Sequence, residues 1–471
     1  MARMSSWRVL VALSAVIIIA ESVDASQAVA ESTVQAPAAT DWSSSDPAWQ
    51  AEIQFREAMG LSTDPVLIAN TMVDPSADRL YGVALTLEER AEIDRRVKIQ
   101  ASLDPLTKRA TELDGFGGLW IDQRAGGVIN VGVTVSAKEA AAALEPLLPP
   151  GAELRVTTVL RTLAALEDVA NRIGDDLVTL SAQGIAVGHL YVDVPGNGVV
   201  VGLLETSADA LQALKVRYGD FVATEASAPE ATSCTGRETC PGPPRRAGIS
   251  GGPAGTSLHG RCTIAFLVHY GQYIQWLTAG HCAKTVGVAW YHAGNTSWPM
   301  GTIKATCWPQ CQSAEAARGG NLSVENGEWQ LVYGDGGTGG LVTVIDEIGL
   351  NSDHIGDFVC LNARMAEAWR CGTLHSIGTF NYGGGVYHTN MRFATYADRF
   401  GDSGGPVHSA VHTTNDRTGV TALGIQSGCT YLVNEICRID LGGYSVYSHL
   451  GWIRAELGVT TCTELSPCPY P

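Results

Sequence analysis

The sequence predicts a chain of two parts, a mixed α/β first half followed by a mostly β second half. Three observations carry this. All 12 cysteines lie between Cys234 and Cys468. From Arg261 onward, glycine, β-branched and aromatic residues make short apolar runs broken by turns, the pattern of a β-sandwich or barrel. In the first half, Leu119-Trp120-Ile121-Asp122 returns 71 residues on as Leu190-Tyr191-Val192-Asp193, and helical and extended patterns alternate around both copies.

In chain order, Arg3 and Arg8 come first, with an apolar stretch from Val9 to Ala20 and small residues at Ala25 and Ala28. This is the build of a signal peptide over residues 1–28, and it is shorter than an ordinary membrane helix. The expected product is secreted and extracellular. Thr86-Leu87-Glu88-Glu89 fits a capping box opening a charged helix, on which Glu92 can pair with Arg96 one turn on. In the repeat, turns at Ala125-Gly126-Gly127 and Gly196-Asn197-Gly198 are followed by return strands from Val128-Ile129 and Val199-Val200. Ser136 and Ser207 then stand where each copy should cap a helix, and short strands follow near Leu154–Val156 and Phe221–Ala223. Each copy reads as a hairpin, a helix and a strand, enough for a three-stranded sheet with one covered face. Between the copies, Leu163, Leu166, Val169 and Ile173 recur at helical spacing, as a core-facing stripe does. Asp122 and Asp193 precede tight turns and read as turn formers. Ala226 to Gly252 is rich in Pro, Gly, Ser and Thr, which is linker chemistry. The expected division is residues 29–225, a linker or processing segment 226–248, and a second domain 249–471.

A formal net charge of −17 makes nucleic acid and anionic membrane poor partners. An even cysteine count behind a signal peptide argues for disulfides. The simplest connectivity joins neighbours: Cys234 with Cys240, Cys262 with Cys282, Cys307 with Cys311, Cys360 with Cys371, Cys429 with Cys437, and Cys462 with Cys468. Cys307 and Cys311 lack a second nearby pair to complete a tetrahedral metal site. The other histidines, His259, His269, His292, His354, His375, His388, His408, His412 and His449, form no ligand spacing such as HExxH. Neither a metal nor a cofactor is expected.

Two segments carry chemistry. Leu277-Thr278-Ala279-Gly280-His281-Cys282 holds a base beside a cysteine, and Gly401-Asp402-Ser403-Gly404-Gly405-Pro406 holds a hydroxyl among glycines. A serine hydroxyl is a weak nucleophile that needs an adjacent base, and acyl transfer needs donors for the developing oxyanion. Glycines around Ser403 let the backbone turn sharply and aim N–H groups outward. The expected donors are the N–H groups of Gly401 and Ser403.

These two motifs, in this order, resemble the chymotrypsin-type serine proteases, and more closely the bacterial streptogrisin and α-lytic protease branch. Ile249-Ser250-Gly251-Gly252 resembles that branch's mature N-terminus. Gly260-Arg261-Cys262-Thr263, Asn381-Tyr382-Gly383-Gly384-Gly385, and Val359-Cys360 running to Cys371-Gly372-Thr373 resemble its internal segments. The resemblance covers Ile249 to about Leu457. It implies two antiparallel six-stranded β-barrels, Cys262–Cys282 beside the catalytic histidine, Cys360–Cys371 as a second disulfide, and a monomer acting on protein or peptide substrates. The family's cysteine shortly before the nucleophile is absent, with Arg399 near that position, so Cys429 pairs with Cys437 instead. The duplicated first half resembles the pro-regions of the branch, which assist folding and inhibit the protease until removed. Processing is expected near Gly248 or before Cys234.

The resemblance also asks for an acid between His281 and Ser403, ahead of an apolar strand. Glu328 in Glu328-Trp329-Gln330-Leu331-Val332-Tyr333 fits best; Asp335 is the chief rival, and Asp346 and Asp353 follow. Asp357 reads as structural. A specificity pocket is expected from Ala397, Asp398, Phe400, Ser427, Gly428 and Cys429. Asp398 would favour a basic side chain if it points inward, whereas Ala397 and Phe400 favour a small or apolar one. Two other readings are a non-catalytic module of this fold, and an α/β-hydrolase esterase through the Gly401-Asp402-Ser403-Gly404-Gly405 elbow. The elbow needs a helix after the serine, and Pro406-Val407 does not begin one.

Overall fold

The computed structural model describes residues 46–231, 250–253, 262–292, 297, 299–320, 331–333, 341–350, 352–363, 369–414 and 416–466. The segment expected to be a signal peptide, and Cys234, Cys240 and Cys468, lie outside them. Among the described residues no helix is long and apolar enough to cross a membrane.

The first half opens with helices at Pro47–Met59, Pro65–Val73, Leu87–Gln100 and Asp104–Thr111. Thr86 and Glu89 form the expected reciprocal capping box, and Arg96 Nε lies 2.7 Å from Glu92. Both repeat copies follow. In the first, strands Phe116–Asp122 and Val128–Val133 pair antiparallel, and Val128–Val133 pairs parallel with Leu154–Thr158. In the second, Val187–Asp193 and Gly198–Leu203 pair antiparallel, and Gly198–Leu203 pairs parallel with Val222–Ala226. The parallel step needs a crossover, which the helices Ala137–Leu144 and Ala208–Tyr218 supply. Ser136 and Ser207 cap these helices, accepting from the N–H groups of Glu139 and Ala210. Asp122 and Asp193 each accept from a turn N–H at 3.0 Å, as turn formers do. Leu166, Val169 and Ile173 are buried in the core of the second copy.

The second half is almost entirely strand. One sheet of eight strands contains Tyr273–Thr278 and Ala317–Gly319, and its core gathers Cys262, Ile264, Trp276, Trp290, Met300 and Ile303. A 13-stranded sheet contains Arg370–Asn381, Tyr387–Ala394, Pro406–Ser409, Arg417–Cys429 and Ser445–His449. It also takes in the second repeat copy, because Val187–Asp193 pairs antiparallel with Arg370–Asn381. The closing helix is Leu450–Leu457.

The two halves share one core. Phe55, Met59, Tyr81, Val83 and Leu85 cluster with Phe358, Leu374, Tyr396 and Ile425. Phe358 takes the ring edges of Phe55 and Tyr81 at 6.0 and 4.9 Å. The start of the stretch read as linker is not loose. Glu230–Ala231 forms a short strand paired antiparallel with Gly428 and Cys429, and the Ala228 N–H donates to the Thr430 carbonyl at 2.8 Å. Pro and Ser do not prevent this, since a strand on a sheet edge needs only alternate backbone groups.

Four disulfides join neighbours: Cys262–Cys282, Cys307–Cys311, Cys360–Cys371 and Cys429–Cys437. Cys462 is also disulfide-bonded.

Candidate active site

The nucleophile loop and the histidine loop are tied through one residue. Thr263, next to the disulfide-bonded Cys262, donates its N–H to the Ser403 carbonyl at 2.7 Å. Its hydroxyl donates to the Gly401 carbonyl at 2.9 Å. The Thr263 carbonyl in turn accepts from the hydroxyl of Thr278, three residues before His281, at 2.8 Å. The Gly404 N–H donates to the Gln426 carbonyl at 2.7 Å, which seats the loop on strand Arg417–Cys429. Gly404 has φ +88, and a Cβ there would stand 2.1 Å from the Thr263 carbonyl oxygen, so only glycine fits. Gly401 also lies in the left-handed region, at φ +95. Asp402 is fully buried and accepts from Arg370 Nη1 at 2.8 Å and from the Arg399 N–H at 2.9 Å. Ser403 is fully buried, and its hydroxyl donates to the Ser427 carbonyl at 3.1 Å.

His281 is 6 % exposed. Its Nδ1 lies 3.0 Å from Glu315 Oε1, and its backbone N–H donates to the same oxygen. The other oxygen, Glu315 Oε2, accepts from the Ser427 hydroxyl. Glu315 is fully buried, which by itself would push its carboxyl up. The charge and hydrogen bond of His281, the nearby His388 and the Ser427 hydroxyl outweigh this and hold it below the usual carboxylate range. An ionised carboxylate only accepts, so His281 Nδ1 carries the proton and donates in this contact. Nε2 rests 3.6 Å from the Cys282 sulfur, and the rings of Trp308 and Tyr382 stand 6.0 and 6.1 Å from the imidazole.

Glu328 and Asp335 lie outside the described residues. Among the described residues, the carboxylate at His281 Nδ1 is Glu315, which the sequence reading did not consider. Strand register delivers it. Ala317 pairs with Thr278 and Arg318 with Leu277, so running back two residues from Ala317 sets Glu315 beside Gly280-His281. A sequence signal did exist: a single acid amid Ala314, Ala316 and Ala317, all fully buried. Asp346 caps the N–H of Glu347, Asp353 pairs with Arg392 at 2.6 Å, and Asp357 sits 3.4 Å from His354. None of the three is at His281.

Of the expected pocket residues, Ser427, Gly428 and Cys429 lie on strand Arg417–Cys429, and Asp398 is hydrogen-bonded to it through Gln426. Asp398 is fully buried, accepting from Gln426 Nε2 at 2.6 Å and from the Ser445 hydroxyl at 2.7 Å. Gln426 Oε1 accepts from the Tyr396 hydroxyl at 2.7 Å. Asp398 is thus woven into a buried polar network rather than presented bare. Ser427, Gly428 and Cys429 are buried, while Ala397 and Phe400 are partly exposed. The His/Cys group around His281 could be mistaken for a metal site, but both its cysteines are in a disulfide and offer no thiolate.

No sequence-family profile matches the chain. Among solved structures, it is similar to Thermobifida fusca Protease A at 26 % identity, over 46 % of this chain and 97 % of that one, with a TM-score of 0.34. A glutamic acid-specific serine protease, described as using a histidine triad in substrate binding, matches at 21 % identity over 45 % and 100 %, TM-score 0.34. Nocardiopsis Protease matches at 24 % over 45 % and 98 %, TM-score 0.33. The chemistry of the site therefore rests on its own residues.

Proposed function

We propose that this chain is the precursor of a secreted serine endopeptidase built on two β-barrels. Ser403 is its nucleophile, His281 its general base and Glu315 the acid that orients His281. The observation that carries the proposal is the contact of Glu315 Oε1 with His281 Nδ1 beside a glycine-bound serine loop. With Nδ1 protonated toward Glu315, Nε2 is free to take the Ser403 proton as Oγ adds to the scissile carbonyl. The N–H groups of Gly401 and Ser403 then donate to the oxyanion. Collapse of the adduct breaks the C–N bond, and His281 returns its proton to the leaving amine. Water, activated by His281 in the same way, hydrolyses the acyl-enzyme.

The strand Val187–Asp193 added to Arg370–Asn381 and the shared core support reading residues 29–225 as a pro-region docked on the protease half. The test is to treat processed, secreted protein with an organophosphate and map the adduct. A single label on Ser403, lost in Ser403→Ala together with hydrolysis of a chromogenic peptide amide, is the expected result. Processed protein that takes no label would sink the enzyme reading.

A further inference from the structure

Beyond the proposed triad, two further side chains, Ser427 and Tyr382, are hydrogen-bonded in series onto Glu315. Tyr382 follows strand Arg370–Asn381, and its hydroxyl lies 2.5 Å from Ser427 Oγ. Ser427 has one proton, and that proton goes to Glu315 Oε2, which as a carboxylate can only accept. Tyr382 must therefore be the donor to Ser427. The bonds run in one direction, from phenol to hydroxyl to carboxylate, and meet the His281 Nδ1–H from the other side.

We propose that Tyr382 is a positioning residue for the triad acid: its O–H fixes the Ser427 rotor with the proton on Glu315, and so holds Glu315 against His281. This rests on the protease reading above. The surroundings suit the role. The Tyr382 ring meets Phe380, Trp308 and His388 edge-on, at centroid distances of 4.7, 5.3 and 5.3 Å. These contacts leave the ring little freedom to turn the hydroxyl away. Burial first, then the Glu315 charge, push the phenol well above its ordinary value, so it remains a donor at any working pH. The corner carrying it is closed by the Tyr382 N–H on the Val386 carbonyl at 2.9 Å and by Asn381 Oδ1 on the Gly383 N–H at 2.8 Å. Asn381 Nδ2 also donates to the Val187 carbonyl at 2.8 Å, so the first half grips this corner too.

A phenylalanine would keep all of the ring packing, so what the tyrosine adds is the donor. Aligned donors polarise one another and spread the carboxylate charge. Without the phenol, Ser427 can rotate, Glu315 is less fixed, and more of its charge faces the imidazole.

The test uses full-length chain, secreted and processed by itself, as wild type, Tyr382→Phe, Ser427→Ala and the double variant. Tyr382→Phe is expected to lower kcat about three- to tenfold, the scale of one hydrogen bond, with KM within about twofold. The acid limb of kcat/KM should move up by a few tenths of a pH unit, because the imidazolium gains from the less shielded Glu315. In the Ser427→Ala background the same change should cost less than about twofold, since the bond that relays it is gone. The low-field proton resonance of His281 Nδ1–H should shift in Tyr382→Phe, and this is read without turnover. An unmoved limb and resonance, or losses that multiply fully in the double variant, overturn the proposal. If Ser403 takes no organophosphate, the protease reading fails, and the proton resonance still decides whether Tyr382 couples to the His281–Glu315 pair.

Discussion

The loops that carry Ser403 and His281 were legible because each is a short motif whose glycines answer a local backbone demand, as the crowding at Gly404 shows. The contact of Glu315 with His281 was not, because it is set by strand register between segments about 35 residues apart rather than by either residue's neighbours. Glu315 precedes Ala316-Ala317-Arg318 and lacks the apolar run that made Glu328 attractive. Glu315→Gln should cut kcat by about three to four orders of magnitude with KM little changed, because an amide removes the charge that stabilises the imidazolium and permits the wrong tautomer. Steady-state kinetics at neutral pH checks this, and a loss under tenfold would remove Glu315 from the triad. Since the carboxyl is held below its ordinary range, it stays ionised through neutral pH.

At the scale of elements, the repeat was fully legible, because hairpin turns, capping serines and alternating strands all leave local marks. Both copies have the expected order and the same pairing. What periodicity could not show was that the second copy extends the sheet of the other half, since an edge strand does not name its partner. That junction turns on Gly378. A Cβ there would stand 1.9 Å from the Leu190 carbonyl oxygen, a backbone atom that cannot move aside alone. Gly378→Val should therefore open the pairing of Arg370–Asn381 with Val187–Asp193. In full-length chain carrying Ser403→Ala to prevent processing, hydrogen exchange should speed up at least tenfold across Val187–Asp193 and stay slow in Phe116–Asp122. Equal protection in both strands would argue that the junction does not depend on this close approach.

At the scale of the whole molecule, acid sensitivity follows from buried histidines. Burial lowers His408 to about 4 and His449 to about 3. Both are neutral when folded, while in the unfolded chain they titrate near 6.5. Between those values the unfolded state binds more protons, so stability is full above about pH 6.5 and falls as the pH drops toward 4. Asp353, lowered to about 2 against burial by Arg392, adds a further loss between about pH 4 and 2. The melting temperature of Ser403→Ala chain should decline steadily from pH 6.5 to 4, and His408→Gln should flatten part of that slope. A flat profile over this range would contradict the burial of these rings. Because Phe55, Tyr81 and Phe358 share one core, the two halves should melt together.

The short strand Glu230–Ala231 on the edge of Gly428 and Cys429 has a consequence of its own. Its occupant is covalently tethered, so it meets that edge at a local concentration in the range of millimolar, whatever the dilution of the protein. A free peptide of comparable affinity is outcompeted until it exceeds that level. One cut in the connecting chain changes the order of the process. Occupancy then depends on total concentration, and dilution into the surroundings becomes enough to vacate the edge.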